Sequence, residues 1–159
     1  MSDKPPALQA QQIPRDAKFA IVAARFNDGI VEELLRGCLA RLAELGVDEK
    51  RVHITRVPGA FELPVAAQWA ARTKNFSAVI CLGAVIRGQT PHFDFIAAEA
   101  ARGIQRVALD ESLPIIFGVL TTDNEQQALD RVGGPQGHAG RRAADAAVEM
   151  VAARPRSKS

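Results

Sequence analysis

Aromatic residues are scarce in this chain, 5% of 159 positions, and no basic excess accompanies them: 20 Lys and Arg stand against 18 Asp and Glu. A nucleic-acid surface needs a basic stripe and usually stacking rings, so both shortages argue against one. No apolar run approaches the ~18 residues that cross a bilayer, which argues against a membrane protein. The opening MSDKPPALQAQQ has no apolar core of a secretory leader, so a cytoplasmic location is expected. Only two cysteines occur, Cys38 in a helical pattern and Cys81 in a strand-like one. Two buried free thiols fit that placement better than a disulfide. The usual chemical signatures are missing too. No Cys/His set has zinc spacing, and there is no glycine-lysine phosphate loop, no serine nucleophile elbow and no dinucleotide fingerprint after the first strand.

What is present is a 47% apolar chain long enough for one domain that buries roughly 70% of its unfolded surface. Residues 1–17 hold three of the nine prolines and no periodicity; they read as a tail, disordered or ordered only as a strand paired with a neighbouring subunit. Residues 18–153 read as the domain and 154–159 as a short basic tail. Lys18–Ala24 is a buried strand, and Asn27 or Asp28 can cap the helix that follows. In that helix Val31, Leu34, Leu35, Cys38, Leu39, Leu42 and Leu45 share one face, and Gly46 stops it. Val52–Val57 is a second strand on which His53 faces outward by alternation. An alanine-rich helix then runs to about Arg72. Pro114–Leu120 is a fourth strand, with Thr121–Asp123 capping a short helix through Arg131. Val132–Gly140, with four glycines and a proline, breaks the chain before a last helix over Ala143–Ala153.

Strands alternating with helices predict a three-layer α/β/α sandwich around a four-stranded, flavodoxin-like parallel sheet covered on both faces. Ligands in such sheets bind beyond the carboxyl ends of the strands. The most chemically suggestive of those ends is Cys81–His92, CLGAVIRGQTPH. A buried strand runs into a loop with Gly83 and Gly88, then Thr90 at a helix N-cap and Pro91 at its first position, with the helix extending to about Leu109. Unpaired amides at Gln89 and Thr90 can receive an anion. His92, in the first turn, is the one proton-transfer candidate whose ordinary pKa lies near neutrality. At neighbouring strand ends, Phe26 offers a ring on which a flat heterocycle can stack. Ala60 to Glu62 offer amides and a carboxylate, although a carboxylate near a helix start also has a purely structural use. Arg131, read alone, is a solvated charge at a helix end.

Taken together, Arg25-Phe26-Asn27, Val57–Pro64, Cys81–Gly88 followed by His92, and Phe117–Thr121 resemble the 6,7-dimethyl-8-ribityllumazine synthases, and the likeness runs in order from Phe19 to Met150. The resemblance implies condensation of 5-amino-6-(D-ribitylamino)uracil with 3,4-dihydroxy-2-butanone 4-phosphate, without metal or organic cofactor, as the penultimate step of riboflavin biosynthesis. It implies that Phe26 stacks on the pyrimidine, that Ala60, Phe61 and Glu62 meet the ribityl chain, and that Ala84, Val85 and Ile86 read the uracil edge. Gln89 and Thr90 would contact the phosphate and His92 would be the acid/base. It also implies homopentamers, sometimes joined into sixty-subunit capsids, with Phe117 and Arg131 supplied by a neighbour and Arg131 reaching the phosphate. Two departures stand out. Many relatives carry Asn-Lys-Gly where this chain has His138-Ala139-Gly140, so the lysine contact is absent unless Arg141 or Arg142 replaces it; and Gln89 stands where smaller residues are common. A non-catalytic lumazine or flavin binder, a shell protein, and a flavodoxin-like FMN domain remain as alternatives.

Overall fold

Strict alternation along two strands divides the interior in two. The computed structural model describes residues 13–155, and its central strands are β1 (Phe19–Ala24) and β3 (Ala78–Ile86), both almost wholly buried. Phe19, Ile21, Ala23, Ile80 and Leu82 point to one face of the sheet, while Ala20, Val22, Val79 and Cys81 point to the other. That is the two-residue period of a strand covered on both sides. Helices α1 (Asp28–Glu44) and α5 (Ala139–Ala153) cover the first face; α2 (Leu63–Arg72) and α3 (His92–Glu111) cover the second. Each of the fully buried Leu, Ile and Val side chains, Leu34 and Ile80 among them, contributes roughly 1.5–3 kcal/mol by leaving water.

Strand β2 (Val52–Val57) and β4 (Ile115–Thr122) complete a parallel sheet in the order β2-β1-β3-β4. This is the expected flavodoxin-like three-layer sandwich. Helices flank both faces as expected; the edge strand β2, with a single neighbouring strand, is the least covered, and its residues from His53 to Arg56 are exposed. His53 faces outward as expected.

Other boundaries move for local reasons. Strand β4 runs two residues past Leu120, so Asn124, not the Thr121–Asp123 cluster, caps the short α4 (Glu125–Leu129) by accepting from the amide of Gln127 at 2.9 Å. Helix α4 ends before Arg131. The broken stretch after it is a small antiparallel hairpin, β5 (Val132–Gly134) and β6 (Gly137–His138). Helix α5 begins at Ala139 rather than Ala143 because His138 caps it, a residue outside the usual Ser, Thr, Asp and Asn set. Helix α3 begins at His92, one residue late: the carbonyl of Pro91 accepts from the amide of Asp94 at 3.0 Å in a tight turn, leaving Pro91 at the cap position expected for Thr90. Gly46 ends α1 with φ +88°, as its position suggested.

Part of the expected tail is seated on the domain. Ile13 packs against the core, and the Arg51 guanidinium donates to the carbonyls of Arg15 at 2.8 Å and Ala17 at 3.3 Å. The remainder, residues 1–12, and the basic end 156–159 lie outside the described residues. Cys38 and Cys81 are free and buried, on opposite faces of the sheet.

Candidate functional site

Unequal strand lengths open the site. In the ladder, β1 pairs with β3 only as far as Leu82, whereas β4 pairs with it through Ile86. The last four residues of β3 therefore have a strand on one side only. Backbone groups in a strand point alternately to its two neighbours. The amides of Val79 and Arg87 donate toward β4, to Pro114 and Thr122. By the same parity Val85 addresses β4, while Ala84 and Ile86 address the side that β1 has vacated.

Into that vacancy opens a cleft of about 570 Å³ lined by Phe26, Asn27, Pro58–Glu62, Ala84–Ile86, Gly88, Thr90, His92, Phe93 and Ile96. Nine of the twelve residues proposed from sequence line it: Phe26, Ala60, Phe61, Glu62, Ala84, Val85, Ile86, Thr90 and His92. Gln89 is exposed on the loop beside it and does not form part of the wall. Phe117 and Arg131 lie elsewhere in the subunit. Phe117 pairs with Cys81 in mid-strand, three positions below Leu120, which stands opposite Ala84. At ~3.3 Å per residue that is roughly 10 Å down the sheet. Its ring is 45% exposed on the far edge strand. Arg131 is half-buried, donates to the carbonyl of Gln127 at 3.0 Å, and has no carboxylate partner among the described residues.

Each wall is held by identifiable contacts. The amides of Arg25 and Phe26 donate to the carbonyls of Val57 and Pro58, at 2.8 and 2.9 Å, prolonging the β1–β2 pairing into the loops. The Phe26 ring, 72% exposed, is left standing over the cleft on a fixed backbone. Asn27 occupies the cap position of α1 but does not cap it; with φ 60° it turns its amide away, donating to the carbonyl of Ala84 at 2.8 Å. A short 3₁₀ turn, Ala60–Glu62, leads into α2, and Oε1 of Glu62 accepts from the amide of Gly59 at 3.0 Å. That local bond is the structural use anticipated for Glu62, yet it engages one oxygen and leaves the other available. The amides of Ala60 and Phe61 open the turn and have no partner within it.

The loop between β3 and α3 is pinned by Arg87. Its guanidinium donates to Asp123 at 3.0 Å and Asp94 at 3.4 Å and lies 4.4 Å from the centre of the Phe93 ring. The bond to Asp123, followed by the nearby Asp94 charge, raises its pKa above the already high ordinary value. Thr90 Oγ1 accepts from the amide of His92 at a long 3.4 Å, and His92 itself is exposed at the cleft mouth.

Asn27, Phe93 and Ile96 were not singled out from sequence as binding residues. Phe93 and Ile96 begin the stripe that continues through Ala100, Ile104 and Val107, so they read as core. The stripe simply extends one turn beyond the end of the sheet. Among the described residues no three His, Cys, Asp or Glu side chains are grouped to hold a metal ion. Arg141 pairs with Glu44 on α1, and Arg142 lies on the carbonyl of Gln136 at 3.2 Å; neither lines this cleft.

An open parallel sheet with a cleft beyond its strand ends, walled by an aromatic ring, a carboxylate and a histidine, defines a flavodoxin-like α/β protein. More narrowly, the chain belongs to the 6,7-dimethyl-8-ribityllumazine synthase family, whose sequence profile matches residues 16–154. It is 45% identical over 152 residues to the 6,7-dimethyl-8-ribityllumazine synthase of Salinibacter ruber (strain DSM 13855 / M31), covering 96% of this chain and 97% of the relative. To the enzyme of the same name from Syntrophus aciditrophicus (strain SB) it is 48% identical over 147 residues, covering 92% and 96%.

Proposed function

We propose that this chain catalyses the condensation of 5-amino-6-(D-ribitylamino)uracil with 3,4-dihydroxy-2-butanone 4-phosphate to give 6,7-dimethyl-8-ribityllumazine, phosphate and water, the penultimate step of riboflavin biosynthesis. The observation that carries the reading is the convergence of Phe26, Glu62, Ala84, Ile86 and His92, drawn from three strand ends, on one cleft in a chain of this family.

The roles follow from the walls. The Phe26 ring stacks on the pyrimidine. The backbone groups of Ala84 and Ile86, on the side β1 leaves open, read the uracil edge, and Val85 adds an apolar contact. The amides of Ala60 and Phe61 and the free oxygen of Glu62 bind the ribityl hydroxyls. Thr90 and Gln89, at the start of α3, contact the phosphate. The 5-amino group attacks the ketone and loses water to form an imine; removal of the C3 proton expels phosphate from C4 and leaves an enol, which tautomerises to a C3 ketone and a C4 methyl; the ribitylamino nitrogen then closes the ring on that new carbonyl with loss of a second water. Each step moves a proton at nitrogen or carbon, and His92 at the cleft mouth is the group to carry it, for roughly 10²–10⁴-fold at most. Orientation of two bound substrates supplies the larger share. An anion site that tightens as phosphate departs adds transition-state stabilisation.

Phe117 and Arg131 do not reach the cleft of their own subunit, which supports a site completed by a second copy. The assembly we infer is a homopentamer, or a sixty-subunit capsid built from pentamers, with Arg131 of one subunit on the phosphate bound by the next. No helix among the described residues is long and apolar enough to cross a membrane, and a cytoplasmic location is part of the reading. The test is a two-substrate assay that follows lumazine absorbance and fluorescence beside an enzyme-free blank. A rate no faster than the blank would leave the non-catalytic binder as the better reading.

A further inference from the structure

The segment that carries Arg131 is closed at its base. The amide of Ala139 donates to the carbonyl of Arg131 at 2.8 Å, and the amide of Gln136 to the carbonyl of Asp130 at 2.9 Å. Between these bonds the β5–β6 hairpin turns through Gly133 and Gly137, at φ +112° and +82°, where side chains are disfavoured. Whatever holds residues 138–140 therefore holds Arg131.

Besides the hairpin pairing and the packing of Gly140 on α1, they are held by one imidazole. Nδ1 of His138 accepts from the amides of Gly140 at 3.1 Å and Arg141 at 3.4 Å, two of the N-terminal donors of α5 that have no partner within the helix. The ring is wedged against α1. A Cβ placed on Gly37 would lie 2.1 Å from its Cε1, so glycine at that position makes room for it. On the other side Gly140 approaches the α1 backbone so closely that a Cβ would lie 2.1 Å from the carbonyl oxygen of Leu34. A Ser or Asp cap would satisfy the same amides yet leave the space over Gly37 empty. The choice of His at 138, with Gly at 37 and 140, joins a helix cap to a spacer between two helices.

We propose that His138 is a positioning residue for the condensation: by capping α5 while wedged on Gly37, it sets the place from which Arg131 is presented to the neighbouring subunit's phosphate. This rests on the reading of Arg131 given above. A residue that only stabilised α5 would affect melting and leave the two substrates' constants alike, whereas a positioning residue acts on one substrate.

The experiment compares His138→Ala, His138→Asn and Arg131→Ala in the assembled full-length enzyme, with both substrates varied and amide hydrogen exchange measured at residues 139–141. His138→Ala is expected to raise KM for the butanone phosphate about 5- to 30-fold, the scale of losing a cap, with KM for the pyrimidine within about two-fold of wild type. Exchange at 139–141 should quicken. Asparagine, whose side-chain oxygen can accept the same bonds, should restore the slow exchange but, leaving the space over Gly37 empty, should keep the phosphate-substrate KM raised. If alanine prevents assembly, His138→Ser carries the test, since it caps without filling the wedge; a raised phosphate-substrate KM is again expected, and a wild-type KM overturns the proposal. If Arg131→Ala raises that KM and His138→Ala does not, His138 is a cap alone and the proposal falls. If Arg131→Ala leaves KM unchanged, the Arg131 reading falls first and takes this one with it.

Discussion

The side-chain amide of Asn27 donates to the backbone carbonyl of Ala84 across 2.8 Å and 57 positions of sequence. It occupies one of the backbone groups exposed where β3 outlasts β1, and so decides which of them remain for a ligand. The carbonyl of Ala84 is engaged; the amide of Ala84 and both groups of Ile86 are left. Asn27→Gly keeps the left-handed backbone without strain and removes only the amide. It should raise KM for the pyrimidine several-fold with little change in kcat, since the bond fixes a binding wall and touches no reacting atom. An unchanged KM in steady-state kinetics would show that the wall holds its shape without Asn27.

His92→Ala should lower kcat by about 10- to 100-fold while leaving the rate above the enzyme-free blank, because orientation survives the loss of the imidazole. A variant with the wild-type rate at neutral pH would remove His92 from the chemistry.

Arg131→Ala should weaken use of the phosphate substrate roughly 10- to 100-fold, as expected for one charge-assisted contact. The stronger test is mixing. Co-assembled His92→Ala and Arg131→Ala subunits create interfaces in which an intact His92 meets an intact Arg131, about a quarter of the total for random mixing around a ring. Activity should return toward that fraction. Mixtures no more active than the average of the two parents would place both residues in one subunit's site.

The two thiols offer a probe of the fold that is independent of activity. Burial pushes Cys38 and Cys81 up to about 12, so neither forms a thiolate near neutrality. A disulfide reagent at pH 8 should leave the native protein unmodified and label both cysteines in denaturant. Rapid labelling of one equivalent in the native state would mean that α1 or the β3 layer opens readily.

Acid should act through His138. Burial first, then the charges of Arg141 and Arg142, lower its pKa below the ordinary 6.5, with Glu33 of α1 acting the other way. The unfolded chain therefore takes up this proton more readily than the folded one. The stabilisation is intact above about 6.5 and is lost as pH falls through the lowered folded value, when a protonated Nδ1 can no longer accept from Gly140. At fixed protein concentration, the urea midpoint of wild type should fall more between pH 7 and pH 5 than that of His138→Asn. Parallel declines would assign acid sensitivity to other groups.

Much of this arrangement is written in short-range patterns. The unbroken apolar runs Phe19–Ala24 and Ala78–Leu82 and the spacing of Leu34, Cys38 and Leu42 specify strands buried on both sides and a one-faced helix, because a strand covered on both faces has no polar positions and a helix covered on one face repeats every 3.6 residues. Motif content at the strand ends pointed to nine cleft residues for a related reason: in a parallel sheet all carboxyl ends lie on one edge. What no local pattern contains is the relative reach of elements far apart in the chain. That β3 runs four residues beyond its pairing with β1, that the α3 stripe passes the sheet and turns Phe93 and Ile96 into cleft walls, that Asn27 bonds Ala84 instead of capping, and that His138 fits the hollow over Gly37 all depend on where a distant backbone stops. Those positions are set by packing across the three layers, and they came into view only with the folded chain.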